Sequence, residues 1–483
     1  MSRGTLYSFG PFEVDGVARR VTRSGEPLTL SDRQLRVLLH LLAHAGEVVS
    51  KDALIEAAWQ DVAVTDNSLE QAVSVLRREI GASSDGSPCI QTVPRQGYRF
   101  STAVTRTTAR LTDEALEALL APHRAWIEGR AALETLESAQ VARARQVFEG
   151  VLRGVPDQAS AHVGLANACI LQYEMTRADP EPDREALAAA DRHAREACRL
   201  EPDYAEAWAT LGFVLDRTGA HVDALAASRR AVTLEPDNWR HHLRLSFIAW
   251  GEERLGEARR TLALLPGSPL AHWLAATVYV ARQVPDLALR ELDAGIAAGS
   301  VGGAQSRFSG VALHWLRGLV LLAGGDETGA LEAFERELSM EASGHLYARE
   351  CCANTWYSVG AMRLRQGRRA EATEAFREAV ARVAVHPQAL AALIVLGDAR
   401  AAAAVPSRTG SADPPRIERT VAYAVGFALS GNAAGAARLL DETLAKAPPG
   451  SAAWFLPVEP LLRVSEQPDL WAPALSRVQS RAS

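Results

Sequence analysis

The chain has 483 residues, of which 48% are hydrophobic and 23% charged, an ordinary globular composition that argues against wholesale disorder. That length fits about two to four domains, or one domain followed by a repeat array. A formal net charge of −6 supplies no global field toward nucleic acid or an acidic membrane, so any such contact must come from a local patch.

Cys89, Cys169, Cys198, Cys351 and Cys352 are scattered and contain no CxxC, which favours reduced thiols over a disulfide framework or a zinc site. The N-terminal MSRGTLYSFG has no apolar run of the signal-peptide kind. No uncharged apolar stretch reaches the roughly 18 residues of a membrane span. The chain is therefore expected to be soluble and cytoplasmic, with no membrane partner.

In chain order, residues 6–14 (LYSFGPFEV) and 28–30 read as strands, broken by Gly10-Pro11 and by Gly25. Ser31 and Gln34 then form a capping box, with Leu30 and Leu35 at the positions of a hydrophobic staple. Leu35, Leu38, Leu39 and Leu42 give a helix its buried face, and Gly46 ends it. A second helix is expected from about Lys51 to Trp59 with Ser50 as its cap, and a third from about Asn67 to Ile80, closed by Gly81. Residues 90–100 (IQTVPRQGYRF) read as a hairpin turning at 94–97. Strands, three helices and a terminal hairpin describe a winged helix. On the third helix Leu69, Ala72, Val73, Leu76 and Ile80 should face the core, leaving Ser68, Glu70, Gln71, Ser74, Val75, Arg77 and Arg78 outward. Short polar groups can read base edges, and arginines at the helix end suit phosphates.

Residues 64–81 (VTDNSLEQAVSVLRREIG) followed by 90–100 resemble the OmpR-type winged-helix domain, particularly that of CadC/ToxR/HilA-like regulators, whose wing typically reads TVPxxGYRF. The resemblance covers residues 5–104 or so. It implies an N-terminal four-stranded sheet, a third helix in the major groove of double-stranded promoter DNA, and a hairpin at the minor groove. Carried onto this chain, the DNA-binding residues are Asn67, Ser68, Gln71, Ser74, Val75, Arg77 and Arg78 on the helix, with Thr92, Arg95, Gln96 and Tyr98 on the wing. Arg99 also approaches the DNA backbone in this reading. Two features depart from the family pattern. Residues 1–105 carry 11 positive against 12 negative side chains, and Val75 stands where the family usually has arginine. Glu70 on the same face would repel phosphate.

Residues 101–112 (STAVTRTTARLT) are polar and lack an apolar face, and 105–112 is taken as a linker between a domain at 1–104 and a helical region at 113–483. Within the latter, Trp208, Leu211, Gly212, Leu215, Ala224, Ala231 and Pro236 match the tetratricopeptide (TPR) pattern, with Ser228 where an aromatic is common. Small residues recur at Ala144, Ala190, Ala224, Ala258, Ala288, Ala330, Ala372 and Ala436. Phe148, Leu262, Leu292, Phe334 and Phe376 lie four residues beyond five of them. This register predicts an all-α solenoid of about eight helix pairs, with Pro-rich insertions at 176–184 and 405–416. Trp208, Trp239, Trp250, Trp273, Trp315 and Trp356 are expected mostly in its core. Its concave face is expected to take a protein or peptide partner, with Arg240, Arg244, Arg317 and Arg363 offering bidentate contacts to carboxylates.

No phosphate-binding loop, HExxH or GxSxG motif occurs, and His241-His242 between Arg240 and Arg244 is a poor metal site. No enzyme activity, cofactor or metal is expected, and no receiver domain precedes the winged helix. The leading reading is a soluble one-component transcriptional regulator, homodimeric on DNA. The alternatives are a SARP-type pathway activator and an interaction scaffold whose winged helix does not bind DNA.

Overall fold

The computed structural model describes residues 3–16, 19–59, 66–83, 86–110, 113–301, 310–404 and 417–483. Four antiparallel strands open the chain: β1 (Arg3–Phe9), β2 (Phe12–Asp15), β3 (Arg20–Arg23) and β4 (Glu26–Leu28). The capping box then starts α1 (Asp32–Ala43): Gln34 N donates to Ser31 Oγ at 3.3 Å, and Ser31 N donates to Gln34 Oε1 at 2.9 Å. β5 (Val48–Val49), α2 (Lys51–Ala58) capped by Ser50, and α3 (Asp66–Ile80) follow, then the hairpin β6 (Ile90–Val93) and β7 (Gly97–Phe100). The expected inward face of α3, from Leu69 to Ile80, is buried throughout. In α1 the buried set is Leu35, Val37, Leu38, Leu41 and Leu42, while Leu39 stays half-buried.

Three strands are not located by the residues alone: β3, which only the resemblance implies, β5 and β8 (Thr105–Arg110). β5 pairs with β7, making the wing sheet three-stranded in the order β5-β7-β6. Gly97 makes this approach possible: at φ +136° a Cβ there would lie 2.0 Å from the Val49 carbonyl oxygen. The stretch taken as a linker is instead largely strand β8, antiparallel to β1, so the first sheet has five strands in the order β4-β3-β2-β1-β8. Arg106 Nη2 from this strand donates to the carbonyls of Leu42 and Ala43 at the end of α1, at 3.1 and 2.9 Å. An edge strand needs backbone partners on one side only, so it requires no apolar face of the kind sought in the sequence.

The helical region is a succession of antiparallel pairs: α4 (Asp113–Glu134) with α5 (Ser138–Gly154), α6 (Ala159–Thr176) with α7 (Arg184–Leu200), and α8 (Ala205–Thr218) with α9 (His221–Leu234). Next come α10 (Trp239–Ile248) with α11 (Gly251–Leu264) and α12 (Pro269–Ala281) with α13 (Pro285–Val301). The sixth and seventh pairs are α14 (Leu313–Ala323) with α15 (Glu327–Ser339) and α16 (Ala348–Arg365) with α17 (Arg369–Arg382). Short helices α18 (Pro387–Val395) and α19 (Ala399–Ala404) separate them from α20 (Ile417–Leu429) and α21 (Ala433–Lys446), and α22 (Pro468–Ala482) ends the chain. All eight register alanines sit on the second helix of a pair, each with 0% of its surface exposed. The insertion at 176–184 spans the turn between α6 and α7, whereas 405–416 lies outside the described residues.

The expected tryptophan core is a partial correction. All six named tryptophans are half-buried rather than enclosed, and the fully buried one is Trp471 on α22. The concave side is also not an open groove along its whole length. Trp454 meets Trp273 edge-on at 6.1 Å, and the Tyr357 hydroxyl donates to Glu459 Oε1 at 2.5 Å. The chain's own segment at 451–467 thus packs against the first helices of the fifth to seventh pairs. The array also curls back on itself ahead of α16. Leu346 N donates to Leu136 O, the Tyr347 hydroxyl to Glu174 Oε2 (both 2.8 Å), and Arg177 Nη2 to both Glu350 oxygens.

Candidate nucleic-acid interface

The face of α3 opposite its buried stripe carries Gln71, Ser74 and Arg78, all exposed, flanked by half-buried Ser68 and Val75. Asn67 lies at the start of α3, where the side chain falls outside the described residues. Thr92, Arg95 and Gln96 are exposed on the wing. Arg95 adopts φ +63° at the tip, and Gln96 N closes the turn on Val93 O at 3.0 Å. Helix face and wing tip therefore both offer hydrogen-bonding groups to solvent.

Three expected contacts stand differently. Tyr98 is 4% exposed and belongs to the domain core, because it alternates with Arg99 on β7 and faces inward. Arg77 is half-buried against the wing: its Nε donates to Ile90 O at 2.9 Å, its Nη2 to Thr92 Oγ1 at 2.6 Å, and its guanidinium lies 5.7 Å from the Tyr98 ring centre. These contacts tie the helix to the hairpin. Arg99 Nη2 likewise donates across the hairpin to Gln91 Oε1 at 3.0 Å.

Glu70, the expected obstacle to phosphate, is not left alone. Lys51 Nζ from the first turn of α2 meets its carboxylate at 2.8 Å, which compensates the negative charge on this face. Sequence reasoning missed this because the partners lie 19 residues apart on different helices. The exposed Arg78 pairs with its neighbour Glu79 at 3.0 Å, an exposed arrangement of low stability that a phosphate can replace.

The four arginines expected on the array separate into two groups. Arg317 pairs with Asp293 at 2.7 Å, Arg240 with Glu134 at 2.6 Å and Arg363 with Glu371 at 3.9 Å. Three of the four thus already have a carboxylate of the array as neighbour, with Asp293 and Glu371 themselves exposed. Arg244 differs: its acceptors are neutral, Thr210 Oγ1 at 2.7 Å and Asn167 Oδ1 at 2.6 Å.

A three-helix unit with a small N-terminal sheet and a β-hairpin wing defines a winged helix-turn-helix domain. Residues 25–100 match the family described as "Transcriptional regulatory protein, C terminal", and this part of the chain is a winged helix of that OmpR type. The chain is similar to the transcriptional activator CadC of Escherichia coli, 34% identical over 96 residues, which is 20% of this chain and 19% of CadC. It is also similar to the transcriptional regulatory protein AfsQ1 of Streptomyces coelicolor, 34% identical over 94 residues, 19% of this chain and 42% of that protein. The solved DNA-binding domain of E. coli CadC is covered completely at 31% identity, over 22% of this chain, with a TM-score of 0.20. The chain thus spans about a fifth of CadC and under half of AfsQ1, the matched stretches being of the length of the winged helix. Among the described residues no helix is long and apolar enough to cross a membrane.

Proposed function

We propose that the chain is a one-component transcriptional regulator that reads promoter DNA with α3 and the wing, and senses a signal with its helical array. The observation that carries this reading is the joint exposure of Gln71, Ser74 and Arg78 on α3 with Arg95 and Gln96 at the wing tip, on a domain of a DNA-binding family. Gln71 and Ser74 would read base edges in the major groove, and Arg78 and Arg95 would neutralise phosphates. The Lys51–Glu70 pair favours this reading over a scaffold that has lost DNA binding.

The domain's charge is close to balanced, so one protomer gains little from phosphates. Two protomers on adjacent half-sites would gain effective concentration without new contacts, which favours direct or inverted repeats roughly one helical turn apart. The sensing role falls to the N-terminal half of the array, away from residues 451–467, and we place the protein as cytoplasmic.

A randomised-site selection with the full chain tests the DNA reading. Gln71→Ala is expected to relax preference at one or two base pairs, costing on the order of 1–3 kcal/mol. Arg95→Ala should weaken all sequences alike and lower the salt slope by about one ion. Arg77→Ala should weaken binding through a loosened wing, with the salt slope nearly unchanged. A selection that enriches no sequence would remove the regulator reading.

A further inference from the structure

A cavity of about 190 Å³ lies inside the curl of the array, walled by the first helices of the first five pairs and by Tyr347. Its wall is mainly aromatic and aliphatic, with Trp126, Phe213, Trp239 and Phe247 among the lining residues, together with Leu133 and Ile170. Three arginines and two carboxylates also face it. Glu134 takes Arg240 at 2.6 Å and Arg130 at 3.5 Å, and Glu206 stands 4.0 Å from Arg130. Those four charges balance one another. Arg244 does not join them.

Its guanidinium has five N–H donors, and its protein acceptors are Thr210, 0% exposed, and Asn167, 8% exposed, both neutral. A guanidinium turned into this pocket with only neutral hydrogen-bond acceptors is costly, because the charge of Glu206, which makes no contact with it, does not offset its desolvation. Burial accordingly depresses the Arg244 pKa below the ordinary arginine value. A second polar group on the same wall is incomplete. His241 is 2% exposed; its Nε2 donates to Glu235 Oε2 at 2.9 Å, and its Nδ1 has no hydrogen-bond partner.

We propose that this cavity binds a small organic monocarboxylate with an apolar or aromatic body, its carboxylate held by Arg244 and its body by the tryptophan and phenylalanine wall. One uncompensated positive charge calls for one negative charge, which favours a carboxylate over a phosphate dianion. A guanidinium also matches a carboxylate bidentately. The volume accommodates roughly a dozen water-sized groups, which suits a medium-chain or aryl acid and excludes an extended peptide. The proposal rests on the sensory reading of the array, and binding is measured without DNA so that the two can fail separately.

Isothermal calorimetry on the full chain, with butyrate, octanoate, decanoate, phenylacetate and indole-3-acetate against their primary amides, tests it. At least one acid should bind tenfold or more tightly than its amide. Arg244→Gln should abolish that preference while leaving the weak binding of the amide. Leu133→Trp, which narrows the cavity and leaves every charge in place, should weaken acid and amide together, and it decides the matter if Arg244→Gln fails to fold. The proposal is overturned if no acid binds, if acid and amide bind alike, or if acid binding survives in both variants.

Discussion

Arg33→Ala should release the winged helix from the helical array and cost on the order of 3–5 kcal/mol, the usual result of breaking a buried ion pair from one side. Arg33 projects from the first turn of α1 into the array. Its Nη1 donates to Asp203 O at 3.1 Å and its Nη2 to Glu235 Oε1 at 2.8 Å. The guanidinium also lies 5.5 Å from the Tyr204 ring centre and 5.9 Å from that of Trp59. Glu235 is 2% exposed, so truncating Arg33 leaves a buried carboxylate with only His241 and Asn238 to hold it. Burial by itself would raise the Glu235 pKa, but the His241 hydrogen bond and the Arg33 charge overcome it and hold the group at about 2.

The sign of the pH dependence follows. A carboxyl depressed from 4.5 to about 2 contributes on the order of 3 kcal/mol above pH 4.5, and this contribution is lost as pH falls toward 2. Glu201 at the same junction behaves oppositely. Burial, with the Asp32 charge adding to it, pushes its carboxyl up to about 7, so it weakens the folded, docked state progressively as pH rises from 4.5 to 7. Docking should therefore be tightest near pH 4.5, weakening on the acid side as Glu235 protonates and on the alkaline side as pH rises toward 7. Limited proteolysis and urea unfolding of wild type and Arg33→Ala across that range provide the check. Identical midpoints and cleavage patterns for the two proteins at pH 6 would show that Arg33 holds nothing.

What could be read beforehand was whatever repeats or acts locally. The Ser31–Gln34 box, the Leu69–Ile80 stripe and the eight register alanines each depend on neighbours three or four residues away, or on a repeat length, and all three hold in the structure. Pairings between distant segments were not legible. β8 finds β1 across about a hundred residues of chain and offers no apolar face to announce it. The ion pairs that use up Arg240 and Arg317 join successive or distant helices, with partners 106 and 24 residues away. The wing motif points Tyr98 at DNA, yet strand alternation sends it into the core and Arg99 to the other face. The packing of residues 451–467 inside the array had no sequence signal beyond their tryptophan and phenylalanine.

Within the array, glycines on first helices accommodate the aromatic rings of second helices, and this sets the last prediction. A Cβ built on Gly164 would lie 2.3 Å from Phe148 Cζ, and one on Gly129 would lie 2.4 Å from the same atom. The device recurs along the chain: Gly318 meets Phe334 at 2.4 Å and Gly360 meets Phe376 at 2.6 Å. Phe148, Phe334 and Phe376 are at most 1% exposed, so none has room to swing aside. Gly164→Ala should therefore destabilise by about 3 kcal/mol from overpacking, although alanine is the better helix former by about 1 kcal/mol. Gly256 in mid-α11 is the contrasting site, since nothing lies within 4 Å of its Cβ position. Gly256→Ala should show the helix-propensity gain alone, a stabilisation of about 0.5–1 kcal/mol. Combining Gly164→Ala with Phe148→Leu should recover more than 1 kcal/mol relative to the sum of the single changes, because the shorter side chain makes room for the new methyl group. Strict additivity in that cycle would mean that the two helices are not held apart by the contact between Gly164 and the ring. In that case the glycine-to-aromatic pairing would not be what sets the helix spacing in the first, second, sixth and seventh pairs.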